Sequence, residues 1–312
     1  MLKSFFVFVF VFVFVTSSHA ASKETLKYAD CEGKALYLDH YSNGDTVFSR
    51  GCVIFVFGGG FAAGSRDEKY YTPYFDWLCE NGYDVVSIDY RLAMSHEYDS
   101  YGWKSGVSGR IKRFKSAIQW AADDLITATS FVLKHAREWH IDVTKIVACG
   151  SSAGAIACLQ AENILCGKEL IAELPEHFNY AAIVSFAGAI FSTNGRPCWY
   201  KRPCPIMMFH GNSDRRVPYQ KASLFGIGLW GSAYITQQLK DMDCSYYFYD
   251  ATYQTHSMAS KPMNDNRKEI LDFLNQAVNN LNKIQIHNMV ADPSLPKRKT
   301  KFSPFIYLSQ KG

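Results

Sequence analysis

The chain has no Cys-x-x-Cys pair, no Cys/His cluster at zinc-ligand spacing, no internal repeat and no linker that would divide its body. A zinc site therefore has no ligand set to draw on, and a repeat array is excluded. It also lacks a membrane-length apolar run. The unbroken stretch at residues 5–15 has eleven residues, whereas a bilayer-spanning helix needs about 20. A strong charge of either sign is missing too: 33 Lys and Arg stand against 29 Asp and Glu, a net +4 over 312 residues. Lys3 lies in the first twenty residues and residues 284–312 carry five bases against one acid, which leaves residues 21–283 at −1. A nearly neutral body offers no electrostatic footprint for nucleic acid. With 48% hydrophobic and 20% charged residues, the chain is not of the disordered class and can bury a full core.

What is present begins with a leader. Lys3, the apolar residues 5–15 and then Thr16-Ser17-Ser18-His19-Ala20 predict a signal peptide over residues 1–20, cleaved between the small residues and Ala21. The mature protein is then expected to be secreted or periplasmic, without an integral membrane segment. No cysteine follows the run closely enough to suggest a lipid anchor. Nine cysteines in an export context allow disulfides, but an odd number leaves at least one thiol free or paired between chains. Cys52 and Cys149 sit in strand-like apolar runs and read as small core residues. Cys198 and Cys204 bracket a short Pro-containing loop and are the single disulfide candidate.

Short apolar runs bounded by Gly, Asn or Asp recur at residues 35–38, 52–57, 84–90, 145–149, 181–186, 205–209 and 245–249. Most are continuous rather than alternating, as parallel strands covered on both faces require. Helical spacing fills residues 74–80, 116–139, 153–165 and 267–281 between them. Strands alternating with helices predict a doubly wound, mostly parallel α/β sheet with helices on both faces, in one domain spanning residues 21–283. Residues 284–312 read as an extended, peripheral basic tail. Two stretches exceed what a connection needs: residues 92–113, with His96, Tyr98, Tyr101 and Trp103, and residues 223–230, with Phe225, Leu229 and Trp230. They are candidate walls of a substrate pocket.

The segment that carries chemistry is Lys145-Ile146-Val147-Ala148-Cys149-Gly150-Ser151-Ser152-Ala153-Gly154-Ala155, a strand, then Gly-x-Ser-x-Gly, then a helix. An abrupt strand-to-helix turn forces its central residue into a strained backbone, and small neighbours such as Gly150 and Gly154 leave room for it. Such a turn lifts the Ser152 hydroxyl above the sheet. It also aims the helix N-terminus and the Ala153 amide at the place where negative charge would develop on an attacked carbonyl.

A serine hydroxyl needs a base to take its proton, and that base needs an acid to hold its ring. Downstream, Asp214 follows the run at 205–209 and His256 follows the run at 245–249, both at carboxyl strand ends where Ser152 also emerges. Two alternatives stay open: Asp250 in place of Asp214, and His210 as the base. His210 adjoins its strand and reads as a structural hydrogen-bonder. Upstream, Phe57-Gly58-Gly59-Gly60-Phe61 ends the most hydrophobic strand, and Gly59 and Gly60 are candidate backbone donors for the other half of an oxyanion hole. Gly58, Gly60 and Ala63 also fit a dinucleotide fingerprint, but Asp89 lies about thirty residues on where about twenty are needed. A Walker loop fails for want of Gly-Lys-Ser/Thr.

These segments, with Asp89-Tyr90-Arg91-Leu92, Trp139-His140-Ile141-Asp142 and His210-Gly211-Asn212-Ser213-Asp214, make residues 45–282 resemble the α/β-hydrolase superfamily. The likeness is to secreted bacterial esterase and lipase-like proteins of the type related to hormone-sensitive lipase and to feruloyl and acetyl-xylan esterases. The resemblance implies a serine carboxylic-ester hydrolase with Ser152, His256 and Asp214 as its triad and Gly59, Gly60 and Ala153 at the oxyanion hole. It implies no metal and no cofactor, and a small-molecule or carbohydrate-linked ester, acyl or feruloyl, as substrate. One departure stands out: the family often begins the glycine motif with His, where this chain has Phe57. Competing readings are a prolyl-oligopeptidase-like serine peptidase, for whose propeller domain the chain has no room, and a catalytically silent binding protein on the same fold.

Overall fold

The computed structural model describes residues 21–31, 33–44, 51–103, 106–279, 282–300 and 302. The expected signal peptide lies outside the described residues. A nine-stranded sheet in the order β1-β2-β4-β3-β5-β6-β8-β11-β12 organises the molecule. It starts with an antiparallel hairpin, β1 (Ser22–Cys31) and β2 (Lys34–Ser42), and β2 runs antiparallel to β4 (Tyr83–Ile88). From β4 onward every neighbour is parallel: β3 (Gly51–Val56), β5 (Ile146–Ser151), β6 (Ala182–Phe186), β8 (Ile206–Gly211), β11 (Tyr246–Thr252) and β12 (Gln285–Ala291). All residues of β3, β4, β5, β6 and β8 are buried. Continuous apolar runs therefore mark strands covered on both faces, the doubly wound arrangement the sequence predicts.

Helices α1 (Thr72–Glu80), α2 (Gly106–His135), α3 (Ala153–Leu165), α4 (Ser232–Asp241), α5 (Pro262–Asp265) and α6 (Arg267–Val278) complete the layers. α1 starts with Pro73 inside its first turn, where a missing N–H is no loss. α6 is tied to α1 by Arg267, whose Nη2 donates to the Pro73 carbonyl at 2.8 Å while its guanidinium lies over Trp77.

Both long connections carry more structure than the sequence suggested. α2 begins at Gly106, ten residues ahead of the predicted start. Arg113 on it donates to the carbonyls of Ala93 and Ser95 at 2.7 and 2.6 Å, which pins the preceding segment. Tyr98, Tyr101 and Trp103 of that segment pack on Trp120 of α2. Residues 223–230 belong to a hairpin of β9 (Lys221–Leu224) and β10 (Ile227–Gly231) that pairs with β7 (Ala189–Ser192) in a separate three-stranded sheet. Its two-residue turn has φ 49° at Phe225 and 81° at Gly226, the left-handed pair that such turns require. The hairpin escaped the sequence reading because Phe225 stands where Asn or Asp would have signalled the turn.

The basic tail contributes β12, paired in parallel with β11 from Gln285 opposite Tyr246 to Ala291 opposite Thr252. The sheet therefore extends past the predicted domain edge at residue 283. All nine cysteines are thiols, so the expected Cys198–Cys204 disulfide is not formed: Cys198 is exposed and Cys204 is buried beside Glu162.

Candidate active site

Parallel register places the carboxyl ends of five strands on one edge. Val56 faces Gly150, Ser151 faces Phe186, Phe186 faces Phe209, and Gly211 faces Ala251. The segments just beyond those ends hold the glycine motif, Ser152, Asp214 and His256. Such an edge is where ligands of open α/β sheets bind.

Ser152 joins β5 to α3 with φ 52° and ψ −113°. A non-glycine residue there is strained by roughly 1–3 kcal/mol, which the surrounding packing must offset. The flanking glycines explain how the turn closes. A Cβ on Gly150 would lie 2.4 Å from the Gly154 carbonyl, and one on Gly154 would lie 2.0 Å from the Val56 carbonyl oxygen. The elbow is held further by the Ser152 N–H on the Phe186 carbonyl at 2.8 Å and by the Ser151 hydroxyl on the Ala259 carbonyl at 2.7 Å.

The Ser152 hydroxyl donates to His256 Nε2 at 2.8 Å, and His256 Nδ1–H donates to Asp214 Oδ2 at 2.7 Å. A carboxylate only accepts, so the proton of the neutral ring sits on Nδ1 and Nε2 is left as the acceptor for serine. Asp214 is fully buried at its side chain, and its other oxygen accepts from the Arg216 and Val217 amides at 2.7 and 3.0 Å. Burial alone would push its pKa up, but the hydrogen bonds from His210 and His256 outweigh burial and hold the carboxyl well below the usual range.

Two loops must meet for this line to form, and they are laced by backbone bonds. The Asn212 N–H donates to the Ala251 carbonyl, the Ser213 N–H to the Gln254 carbonyl, and the Tyr253 N–H to Asn212 Oδ1 at 2.7 Å. Gly211 is needed because a Cβ there would lie 2.2 Å from the Gln254 carbonyl oxygen. The alternatives left open by the sequence fall elsewhere. His210 is fully buried, takes a hydrogen bond from the Ser232 hydroxyl on Nδ1 at 2.8 Å, and turns Nε2 to the Val217 carbonyl at 3.3 Å and Asp214 at 3.4 Å. Asp250 pairs with His287 of β12 at 3.0 Å.

Ala153 is the first residue of α3, so its N–H has no acceptor within the helix and lies at the positive end of the helix dipole. Gly58 comes close to the elbow, a Cβ on it falling 3.4 Å from Ser152 Cβ. Gly59 and Gly60 follow with φ 124° and 65°. The turn is closed by the Gly59 carbonyl, which accepts from Ala62 and Ala63 at 3.1 and 3.2 Å. Two tyrosines to which the sequence reading gave no role brace this loop. The Gly58 N–H donates to the Tyr71 hydroxyl at 3.0 Å, and the Tyr90 hydroxyl donates to the Phe57 carbonyl at 3.1 Å. Phe57 packs against Tyr90, ring centroids 4.5 Å apart. Phenol hydroxyls and an aromatic contact thus hold the loop that Phe57 begins; Tyr71 and Tyr90 follow Phe57 by 14 and 33 residues, a spacing that gives no signal in a sequence.

A cleft of about 770 Å³ opens beside His256, lined by residues 213, 215–216, 255–257 and 297–299. Neither long connection lines it, so the aromatic walls expected from residues 92–113 and 223–230 are not part of this cleft. Among the described residues no three His, Cys, Asp or Glu side chains gather as a metal-binding group, and no helix is long and apolar enough to cross a membrane.

Sheet order, elbow and strand-end loops are those of the α/β-hydrolase fold, the fold of esterase and lipase-like proteins. The chain is similar over its length to solved structures of esterase 2 from Thermogutta terrifontis. The apo form gives a TM-score of 0.57 at 19% identity, covering 87% of this chain and 98% of that one, and the butyrate-bound form 0.58 at 18%, covering 86% and 96%. In sequence it is 31% identical over 109 residues to the fumonisin B1 esterase of Sphingopyxis macrogoltabida, which is 34% of this chain and 18% of that protein. It is 32% identical over 107 residues to the esterase LipI of Mycobacterium tuberculosis, 33% and 25% of the two lengths. The matches thus span a quarter or less of these curated relatives. No family model matches the chain.

Proposed function

We propose that the protein is a serine carboxylic-ester hydrolase working through an acyl-enzyme. One observation carries the reading: Ser152, on its strained turn, donates 2.8 Å to an imidazole that itself donates 2.7 Å to a buried carboxylate. In this scheme His256 Nε2 takes the Ser152 proton as Oγ attacks the ester carbonyl. Negative charge on the carbonyl oxygen meets the N–H groups of Ala153 and of Gly59 or Gly60; one such donor is typically worth about a hundredfold or more in rate. Protonated His256 gives its proton to the departing alcohol oxygen. Water then repeats attack and collapse on the acyl-enzyme, releasing the acid and restoring the serine. The 18–20% identical esterase structures and the partial likeness to two esterases support the chemistry without fixing the substrate.

The test is hydrolysis of 4-nitrophenyl acetate by purified protein beside Ser152→Ala and His256→Ala. Activity in the wild type and its loss by a factor of about 10³ or more in both variants is expected; equal rates in all three would overturn the reading. We infer separately that the protein is exported; the basic start and apolar stretch in residues 1–20 support this reading. N-terminal sequencing of exported protein should begin at Ala21, and an intact Met1 would refute export by cleavage.

A further inference from the structure

The cations lining the cleft beside His256 come from two segments far apart in the chain. Arg215 and Arg216 follow Asp214 directly, whereas Lys297, Arg298 and Lys299 lie beyond β12. Among the described residues no carboxylate lines the cleft, and none of these five cations forms an ion pair. Of the described cations elsewhere, some are matched, Arg66 with Asp39 and Asp89, Arg91 with Asp124, Arg113 with Asp99, while others such as Lys69, Arg137 and Lys240 are not, so it is the grouping of five around one cleft that sets these apart. A basic run is ordinarily a solvated surface. Here the fold carries it back to the reacting edge. β12 ends with Ala291 opposite Thr252, four residues before His256, and His287 holds Asp250 of β11 at 3.0 Å. Asp292 then turns the chain, its carboxylate and carbonyl accepting from the Ser294 and Leu295 amides at 2.9 and 3.1 Å. Residues 21–283 sum to −1, so five like charges around one cleft are a local concentration and not a sample of the general surface. Such a grouping raises the local concentration of anions and their encounter rate, by about ten- to a thousandfold in strong cases. The hydroxyls of Thr255 and Ser257 add neutral donors to the same lining.

The geometry points to a binding site for anionic groups of the substrate, so that the protein acts on esters bearing carboxylate or phosphate charge in preference to neutral ones. The inference rests on the hydrolase reading above, and its test separates the two. The ratio of kcat/KM for mono-4-nitrophenyl adipate to that for 4-nitrophenyl acetate is measured at low salt, in 0.5 M NaCl, and in the variant K297A/R298A/K299A. A ratio of about tenfold or more that collapses with salt and with the substitutions is expected; a ratio near one that neither changes overturns the inference while leaving hydrolysis intact. If neither ester is cleaved, the hydrolase reading falls, and the anion site is judged by calorimetry alone. Wild-type protein is titrated with adipate and with inorganic phosphate, the tighter of the two naming the anion. Binding that the triple variant loses by about tenfold upholds the site, and no heat from either ligand at millimolar concentration removes it.

Discussion

The hydroxyl of Tyr71 accepts the N–H of Gly58 at 3.0 Å, fixing the peptide that faces the serine elbow. Tyr71 itself is wholly buried against Phe55, centroids 4.6 Å apart, so its oxygen has no freedom to drift.

Replacing it with Phe keeps the packing and removes the acceptor. The buried Gly58 N–H is then unpaired, at a cost of about 1–3 kcal/mol, and the glycine loop loosens. Tyr71→Phe should melt several degrees lower and lose kcat on 4-nitrophenyl acetate by on the order of ten- to a hundredfold. Unchanged kcat with a lowered melting temperature would assign Tyr71 to stability alone.

Asp214 is depressed despite burial because His210 and His256 both approach it. Its folded pKa lies below the unfolded value of about 3.9, so the stability it contributes is fully present above that pH and is lost as pH falls toward the folded value. Asp214→Asn should therefore flatten the fall of melting temperature between about pH 5 and pH 3. The amide also disfavours the Nδ1–H tautomer, and kcat should drop by about 10⁴ at pH 7. A drop under tenfold would mean another group holds the ring.

Glu162 sits fully buried on α3. Its Oε1 accepts the Cys204 N–H at 2.7 Å, and Oε2 has no hydrogen-bond partner among the described residues. Burial pushes its pKa up, with the Cys204 amide opposing. An acid with a raised folded pKa gives up stability as pH climbs from its unfolded value of about 4.3 toward the folded one. Glu162→Gln should gain on the order of 1 kcal/mol over wild type in urea unfolding at pH 7, with a smaller difference at pH 4.5. A loss at pH 7 would show that the hydrogen bonds of the carboxylate outweigh its desolvation.

Burial raises the thiols of Cys52, Cys149, Cys158, Cys166, Cys204 and Cys244, and pushes Cys79 up to about 12. Cys198 is exposed and Cys31 half-buried. Iodoacetamide on native protein should label Cys198 first, Cys31 more slowly, and the rest after unfolding. Cys198 left unlabelled until reductant is added would reveal a disulfide absent from this fold.

The parallel strands were legible because burial on both faces writes a continuous apolar run, and Ser152, Asp214 and His256 could be picked out as residues following such runs. That they meet within 2.8 Å depends on the Asn212 and Gly211 contacts with residues 253–255, which no spacing encodes. β1 was invisible because it is largely exposed and polar, Ser22 to Thr25 facing solvent; an edge strand has one partner and little core to mark it. The two tyrosine braces, the β9–β10 hairpin and the arrival of Lys297, Arg298 and Lys299 beside His256 are long-range events. Each depends on where the sheet puts a distant segment.

The pairing of β12 on β11 bears also on how the protein matures. Until β12 has left the ribosome, β11, the strand that leads to His256, presents an open row of peptide donors and acceptors, the kind of border through which nascent chains stick to one another. Products of premature termination before Gln285 would keep that border permanently.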